Sequence, residues 1–408
     1  MAENRATKLL HVVTVDQSLA FFAGQFQYMR QRGIDVHFAC SPGSRGEEFS
    51  RAQDVPVHAI PMTRSITPAR DLISLRRLYA LVREIRPTIV HAHTPKAGLL
   101  GVTAARLAKT PIVIYGVLGM PCTAATGARS AVLRQCERLS CGLAHCVTFV
   151  SHSNVEFAID HALCPPSKAN VPRNGSLNGV DAERAFDPAL AGGDVRSGIR
   201  RELGIPKDAV VVAYVGRIVR DKGIEDLIDA WRELSLDREQ ACLLLQGNPE
   251  PQDPVSKQTA DALRTMPGVR LSAWRNDMPS VYAAIDILVL PTYREGFPNV
   301  TLEASAMAIP VVATRVQGSV DSVVDGVTGT LVPAHDPAAL AKAIATYVRD
   351  PELRQRHGMA GRDWVRRDFR QEDVWEAIHQ HYCRLLSQHR GVGAWSSLAE
   401  STTKEDAT

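Results

Sequence analysis

The chain has 408 residues, of which 45% are hydrophobic, and it carries a formal net charge of +3 at pH 7. A chain of this length is too long for one ordinary hydrophobic core, so we expect two domains. The small net charge and an aromatic content of 6% exclude the concentrated basic, base-stacking surface of a nucleic-acid-binding protein.

Strand-like and helix-like patterns alternate along the first half of the chain. The predicted strands cover residues 9–15, 35–40, 58–61, 88–93 and 112–115. The predicted helices between them cover residues 21–31, 46–52, 72–85 and 97–108. Such alternation predicts an α/β fold with a parallel, doubly wound sheet and helices on both of its faces.

A second series of strands begins near residue 209. These predicted strands cover residues 209–215, 241–246, 269–271, 285–290 and 311–313. We therefore expect two Rossmann-like domains, at residues 1–185 and 205–370, joined by a Gly-, Asp- and Ala-rich linker at 186–204. A helix is predicted at 371–390, and the small, polar residues 391–408 are expected to form a disordered tail.

The start of the chain and its cysteines bear on where the protein works. Residues 1–8 are polar and lack the apolar core of a secretion signal, and no window reaches the roughly 18–20 apolar residues of a membrane span. The eight cysteines show no C-x-x-C spacing, so we expect reduced thiols in a cytoplasmic protein. Cys141 and Cys146 lie near His145, but four ligands at zinc-finger spacing are missing, which favours packing over a metal site.

The loop at residues 291–298 follows a predicted buried strand and opens a helix, which is where open α/β sheets bind ligands. The first helical residues, Asn299, Val300 and Thr301, offer backbone N–H groups that have no intrahelical acceptor. The helix dipole adds a preference for negative charge, so this end of the helix suits a phosphate.

Two glutamates flank this helix start. Glu303, about one turn into the helix, is well placed to accept two hydrogen bonds from a vicinal diol such as a ribose. Glu295, on the loop, could accept from sugar hydroxyls in the same way. A first-turn glutamate and a solvated loop glutamate are the ordinary alternative, but Gly296 and Pro298 around Phe297 indicate a shaped loop.

A basic loop at residues 216–223, which begins with Gly216, directly follows the predicted strand 209–215 and precedes a helical pattern. The order strand, glycine, basic loop, helix is typical of phosphate binding. Arg217 can hold a diphosphate with its fork of N–H donors, and Lys222 supplies a mobile point charge. Taken alone, the pattern also fits an ordinary loop between a strand and a helix.

Together the two loops resemble those of the retaining glycosyltransferases of family 4, which have the GT-B fold. The family's glutamate-x7-glutamate motif is matched by Glu295 and Glu303, and its Gly-Arg…Lys-Gly loop, which binds the donor diphosphate, is matched by residues 216–223. Further counterparts lie at residues 90–98, 174–181 and 325–329. The His-Thr-Pro-Lys-Ala-Gly run at 93–98 resembles the branch that builds bacterial surface polysaccharides and lipid-linked oligosaccharides.

The resemblance implies a fold and a reaction. Two Rossmann-like domains are expected to face a cleft, and the helix at 371–390 is expected to cross back to the first domain. The reaction would move a hexose or an N-acetylhexosamine, with retained configuration, from a nucleotide diphosphate, UDP above all, to a lipid-linked or saccharide acceptor. His93 and Lys96 would lie on the acceptor side, although a lone histidine is more often a structural hydrogen bonder than a catalytic group. The protein would be cytoplasmic, with a peripheral place at the inner face of the plasma membrane.

The expected roles follow from where charge develops in this reaction. Breaking the bond to the sugar leaves negative charge on the diphosphate, which Arg217, Lys222 and the helix start would stabilise. Glu295 and the backbone of Gly296 and Phe297 would orient the sugar. A glycosidase-like double displacement would need a pair of carboxylates that flank the bond to the sugar, and the sequence indicates no such pair. No Asp-x-Asp motif precedes the donor site, so we expect neither a metal nor another cofactor.

Three alternatives stay open. The basic residues interleaved with apolar ones at 64–86 and 129–138 fit a peripheral contact with an anionic membrane, or simply solvated amphipathic helices. A nucleotide-sugar 2-epimerase would share the fold and the diphosphate site but would need no acceptor. A non-catalytic nucleotide-sugar-binding protein is hinted at by Leu118, which stands where many family members have a histidine.

Overall fold

The computed structural model describes residues 7–189, 192–234, 240–251 and 253–390. Within these ranges the chain forms two parallel sheets flanked by helices, which confirms the predicted α/β, Rossmann-like class. The tail expected at 391–408 lies outside the described residues.

The first sheet has the strand order β3-β2-β1-β4-β5-β6-β7. Its strands are β1 (Thr7–Val12), β2 (Ile34–Cys40), β3 (Val57–Ala59), β4 (Ile89–His93), β5 (Ile112–Val117), β6 (Cys146–Phe149) and β7 (Ala169–Asn170). Its helices are α1 (Gln25–Gln31), α2 (Ser44–Gln53), α3 (Pro68–Ile85), α4 (Pro95–Leu107), α5 (Gly127–Leu143) and α6 (His152–Asp160). Strands β4 and β5 are buried along their whole length, because the sheet is covered on both faces.

The second sheet has the strand order β10-β9-β8-β11-β12-β13. Its strands are β8 (Val210–Val215), β9 (Ala241–Gln246), β10 (Val269–Ser272), β11 (Ile287–Leu290), β12 (Val311–Thr314) and β13 (Gly329–Val332). Its helices are α7 (Gly193–Glu202), α8 (Ile224–Glu233), α9 (Lys257–Thr265), α10 (Met278–Ala283), α11 (Asn299–Ala306), α12 (Pro337–Arg349) and α13 (Pro351–Asp368). In the first sheet the strand order reverses between β1 and β4, and in the second sheet it reverses between β8 and β11. This reversal marks the switch point where such sheets bind ligands.

The helix expected at residues 21–31 is interrupted. A 3-10 helix spans Asp16–Phe22, and α1 begins only at Gln25. Between them Gly24 has a φ of +80°, and a backbone in this left-handed region cannot continue a right-handed helix.

The linker expected at residues 186–204 is also wrong in part, because it contains α7. Arg196 and Arg200 of this helix both pair with Asp286 of the second domain, at 2.7 and 2.6 Å. Arg200 is buried and also donates to backbone carbonyls. A segment with few apolar residues is thus held on the second domain by buried charge and hydrogen bonds.

The last helix, α14 (Gln371–Arg390), packs against the first domain. Val374, Ile378, Tyr382 and Leu386 recur every fourth residue, so they share one face, and all are buried in the cluster that contains Leu9 of β1. None of the described helices is long and apolar enough to cross a bilayer.

Candidate active site

The two loops predicted to bind phosphate meet at the switch point of the second sheet. Residues 216–223 follow β8 and residues 291–298 follow β11, and these two strands are neighbours. The N–H of Tyr293 donates to the carbonyl of Asp221 at 3.0 Å, and Arg294 Nη2 lies 2.6 Å from Asp221 Oδ2. Asp221 therefore ties the loops together.

Lys222 and Glu295, one from each loop, form a close ion pair. Lys222 Nζ donates to Glu295 Oε1 at 2.5 Å, and the two side chains are only 16% and 13% exposed. The neighbouring Gly223 has a φ of +68°, and a Cβ atom there would lie 1.9 Å from the carbonyl oxygen of Pro291. Glycine at 223 is therefore what lets the loops come this close.

Arg217 pairs with an acid that lies outside both motifs. Its Nη1 lies 2.8 Å from Glu250 Oε2, and Nη1 of Arg64, from the first domain, lies 3.2 Å from the same oxygen. The side chain of Arg217 is 43% exposed. Its guanidinium can therefore be reached by an anion that competes with Glu250.

The start of α11 presents open backbone donors. Four N–H groups have no hydrogen-bond acceptor within the described ranges, namely those of Gly296, Phe297, Asn299 and Val300. Thr301 differs from the prediction, because its N–H and its hydroxyl both donate to the carbonyl of Pro298, at 3.2 and 2.6 Å. Thr301 is also fully buried. The structure therefore removes Thr301 from the predicted anion-binding set.

Glu303 is half-buried one turn into α11. Burial raises the pKa of its carboxyl above the usual value, and a hydrogen bond from the Tyr282 hydroxyl to Oε2, at 2.7 Å, offsets part of that rise. No described residue donates to Oε1. An oxygen with two lone pairs can accept from both hydroxyls of a diol, so the predicted ribose contact remains chemically available.

Lys96, predicted on the acceptor side, lies in the first turn of α4 and is engaged within the first domain. Its Nζ lies 2.6 Å from Asp71 Oδ1, and its side chain is 11% exposed. Burial alone would raise the pKa of Asp71, but hydrogen bonds from Lys96 and Thr67 hold it below the usual value. Lys96 Nζ also donates to the carbonyl of Ser65 and the hydroxyl of Thr67, so it fixes the loop before α3.

His93 lies in the core, not at the surface of the cleft. Its ring is 1% exposed, and its Nε2 lies 2.9 Å from Nδ1 of His11. With His91 they form the one cluster of potential metal ligands in the described part of the chain. Both nitrogens of His91 are engaged, however, by the hydroxyls of Tyr382 and Thr148.

Burial lowers the pKa of each histidine in this cluster, to about 3 for His11. The cluster is therefore a neutral hydrogen-bonded network of the core. The acceptor-side role predicted for His93 would need the ring to leave this network, so the geometry does not support it.

The first domain touches the loop at residues 291–298 beside Leu118. A Cβ atom on Gly296 would lie 2.1 Å from the carbonyl oxygen of Leu118. Contact at this point runs through the backbone, so it does not depend on which side chain occupies position 118. Gly296 is required because the two domains approach each other so closely here.

Sequence profiles of two known families match the chain. The profile described as "Glycosyl transferases group 1" matches residues 195–364, and that of the "Glycosyl transferase 4-like domain" matches residues 20–175. The capsular polysaccharide biosynthesis glycosyltransferase CapM of Staphylococcus aureus is 33% identical over 94% of this chain and 99% of its own. The Escherichia coli UDP-Gal:alpha-D-GlcNAc-diphosphoundecaprenol alpha-1,3-galactosyltransferase is 27% identical over 81% of this chain and 84% of its own.

A solved structure shows the same fold. The crystal structure of Anabaena HepE superposes with a TM-score of 0.76 at 20% identity, covering 92% of this chain and 99% of that one. The chain belongs to the family 4 glycosyltransferases of the GT-B fold, as the sequence motifs predicted. It is accordingly a hexosyltransferase-type enzyme, and it fits the surface-polysaccharide branch of that family.

Proposed function

We propose that this enzyme transfers a hexose or N-acetylhexosamine from a UDP-sugar to a lipid-linked or saccharide acceptor of a surface glycan. We further propose that the anomeric configuration is retained and that no metal ion takes part. The Lys222–Glu295 pair beside the open N–H groups of α11 carries the proposal. At this edge of the sheet, a positive charge and backbone N–H donors suited to a phosphate lie next to a carboxylate that can accept from sugar hydroxyls.

The names of relatives support the donor and the acceptor. The Escherichia coli relative is named for UDP-Gal and for a diphosphoundecaprenol-linked acceptor. The Staphylococcus aureus relative is named for capsular polysaccharide biosynthesis, and the Anabaena structure is a complex with UDP and glucose. A UDP-sugar and a lipid-linked acceptor are therefore the first substrates to test.

Arg217 and Lys222 are each paired with a carboxylate that the donor would have to displace on binding. A diphosphate would displace Glu295 from Lys222 and Glu250 from Arg217, because each carboxylate occupies a cation that the diphosphate needs. Released from Lys222, Glu295 can accept from sugar hydroxyls. Lys222, Arg217 and the N–H groups of α11 then stabilise the charge that grows on the leaving diphosphate. These fixed positive groups are the reason for proposing a reaction without a metal.

The test is a nucleotide titration followed by a transfer assay, both in the presence of a chelator. We expect UDP to bind more tightly than ADP or GDP in calorimetry. UDP release from UDP-glucose, UDP-galactose and UDP-N-acetylglucosamine should then require an undecaprenyl-diphosphate-linked sugar, and the anomeric coupling of the product should show retention. Absence of UDP binding would contradict the proposal, and conversion of the UDP-sugar without an acceptor would favour the 2-epimerase.

We also propose that α3 contacts anionic lipid. Arg76, Arg77 and Arg83 are exposed on this helix, and so are the apolar residues Leu72 and Ile73, each at 52%. Helices that lie in a membrane interface typically carry solvent-exposed apolar side chains next to arginines, as α3 does. The enzyme would then work at the inner face of the membrane where a lipid-linked acceptor is held.

A further inference from the structure

One side chain of the first domain holds the backbone of the loop at residues 291–298 by hydrogen bonds. Asn154, in the first turn of α6, is 1% exposed, and its Nδ2 donates to the carbonyl oxygens of Gly296 at 2.9 Å and Glu295 at 3.2 Å. The same nitrogen lies 2.6 Å from Ser151 Oγ. Three oxygens thus surround the donor end of the amide.

The other end of this amide fixes its orientation. Asn154 Oδ1 is buried and has no hydrogen-bond partner within the described ranges. Turning the amide over would place Oδ1 against the two carbonyl oxygens, which offer no proton. Asn154 is therefore held for its two N–H donors, at the cost of one unsatisfied acceptor.

The carbonyl of Gly296 is enclosed from a second side by Gly318. This residue has a φ of +79°, and a Cβ atom there would lie 2.4 Å from the Gly296 oxygen. The N–H of Gly318 donates to Ser153 Oγ at 2.8 Å. Asp321 Oδ1 accepts from the N–H of His152 at 2.9 Å and thereby caps α6 from the other domain.

Fixing these carbonyls also fixes the donors that follow them. A trans peptide is planar, and its C=O and N–H point in opposite directions. Because Asn154 holds the carbonyls of Glu295 and Gly296, the N–H groups of Gly296 and Phe297 are turned away from α6. These are two of the N–H groups that have no acceptor in the described part of the chain.

We propose that Asn154 is a positioning residue, which aims the N–H groups of Gly296 and Phe297 at the donor sugar. The inference rests on the proposed function of this loop. It adds that the sugar subsite is complete only when the first domain is docked, because Asn154 comes from that domain. The nucleotide subsite needs no such help, since Arg217, Lys222 and Glu303 all belong to the second domain.

The experiment separates these two subsites. Asn154→Asp keeps the volume of the side chain but removes its N–H donors, and Glu156→Ala, exposed on the same helix, is the matched control. In Asn154→Asp we expect the Kd for UDP to stay within about threefold of wild type. The kcat for UDP release, measured with UDP-glucose, UDP-galactose and UDP-N-acetylglucosamine, should fall roughly 100-fold, as for a small misplacement of reacting groups.

Gly318→Ala provides an independent test from the opposite side of the same carbonyl and should give the same pattern. Retention of the wild-type kcat in folded Asn154→Asp and in folded Gly318→Ala would overturn the inference. A loss of UDP affinity as large as the loss of kcat would also overturn it, because it would show general damage. Failure of the wild-type enzyme to bind UDP would instead contradict the proposed function.

Discussion

Lys222 holds a positive charge that Glu295 keeps in place within the donor site. Replacing Lys222 by Ala removes a charge that would stabilise the leaving diphosphate, so we expect the barrier to rise by about 3 kcal/mol, roughly 100-fold in kcat/KM. Steady-state UDP release measures this loss. Arg220→Ala, an exposed cation on the same 3-10 turn, is the control and should stay near wild type. Near-normal turnover in a folded Lys222→Ala enzyme would refute the assignment.

Glu303 accepts from a ribose diol only while its carboxyl is ionised. Burial raises the pKa of this carboxyl. As the pH falls, Glu303 therefore takes up its proton at a higher pH than an exposed glutamate does. We expect the affinity for UDP to weaken on acidification from about pH 8 to about pH 5, with the midpoint above the usual glutamate value. Calorimetric titrations of Glu303→Gln should lack this component.

The comparison of Glu303→Gln with wild type cancels the titration of UDP itself. Glu295→Ala serves as a second control, because it should spare UDP binding and reduce transfer. Parallel pH curves for wild type and Glu303→Gln, or equal loss of UDP affinity in both glutamate variants, would reject this division of roles.

The residues of each motif could be predicted, because within each loop the strand, loop and helix signals place them within a few residues of one another. Glu250 and Tyr282 could not, since they lie 33 and 21 residues from the side chains that they contact. Asn154 is separated from its loop by 142 residues. The sequence predicted the position of His93 at a strand end, but it could not show the burial of the ring, which depends on contacts with His11 of β1 and with Phe22.

Among the elements, α3 makes the clearest surface prediction. Arg76, Arg77 and Arg83 should each contribute on the order of 1 kcal/mol to binding of anionic membranes, and this attraction should fade as salt rises. Sedimentation with phosphatidylglycerol vesicles measures it, and the triple Arg→Glu variant should lose it. Replacing Arg356, Arg366 and Arg367, which are exposed on α13, by Glu makes the same charge change in the second domain and should have little effect. Binding that ignores both salt and the α3 variant would return this helix to an ordinary solvated surface.

The predicted element boundaries agree with the structure where buried residues recur at a regular spacing. They differ from it where a single residue ends a helix or an ion pair holds one in place. Gly24 stopped a helix that the apolar pattern would have extended. Helix α7 was hidden because it is anchored through Arg196 and Arg200 to Asp286, and composition alone does not distinguish such a segment from a linker.

For the whole molecule, we expect Asp321 to affect how firmly the two domains close on each other. Asp321→Ala removes the cap that the second domain supplies to α6, which should weaken domain docking by about 1 kcal/mol. Small-angle X-ray scattering should report a larger radius of gyration than for wild type. Asp325→Ala, whose ion pair with Arg315 lies within the second domain, is the control. Identical scattering from wild type and Asp321→Ala would show that this contact does not govern closure.

The position of α14 has a consequence for how the protein is made. The last strand of the first sheet ends at Asn170, but the helix that covers part of its core begins about 200 residues later. At ordinary synthesis rates this is a delay of roughly 10–40 s. During that interval the apolar groove that will receive Val374, Ile378, Tyr382 and Leu386 is uncovered on the ribosome. The first domain to emerge is therefore completed only after the second, and its core stays open to solvent for that time.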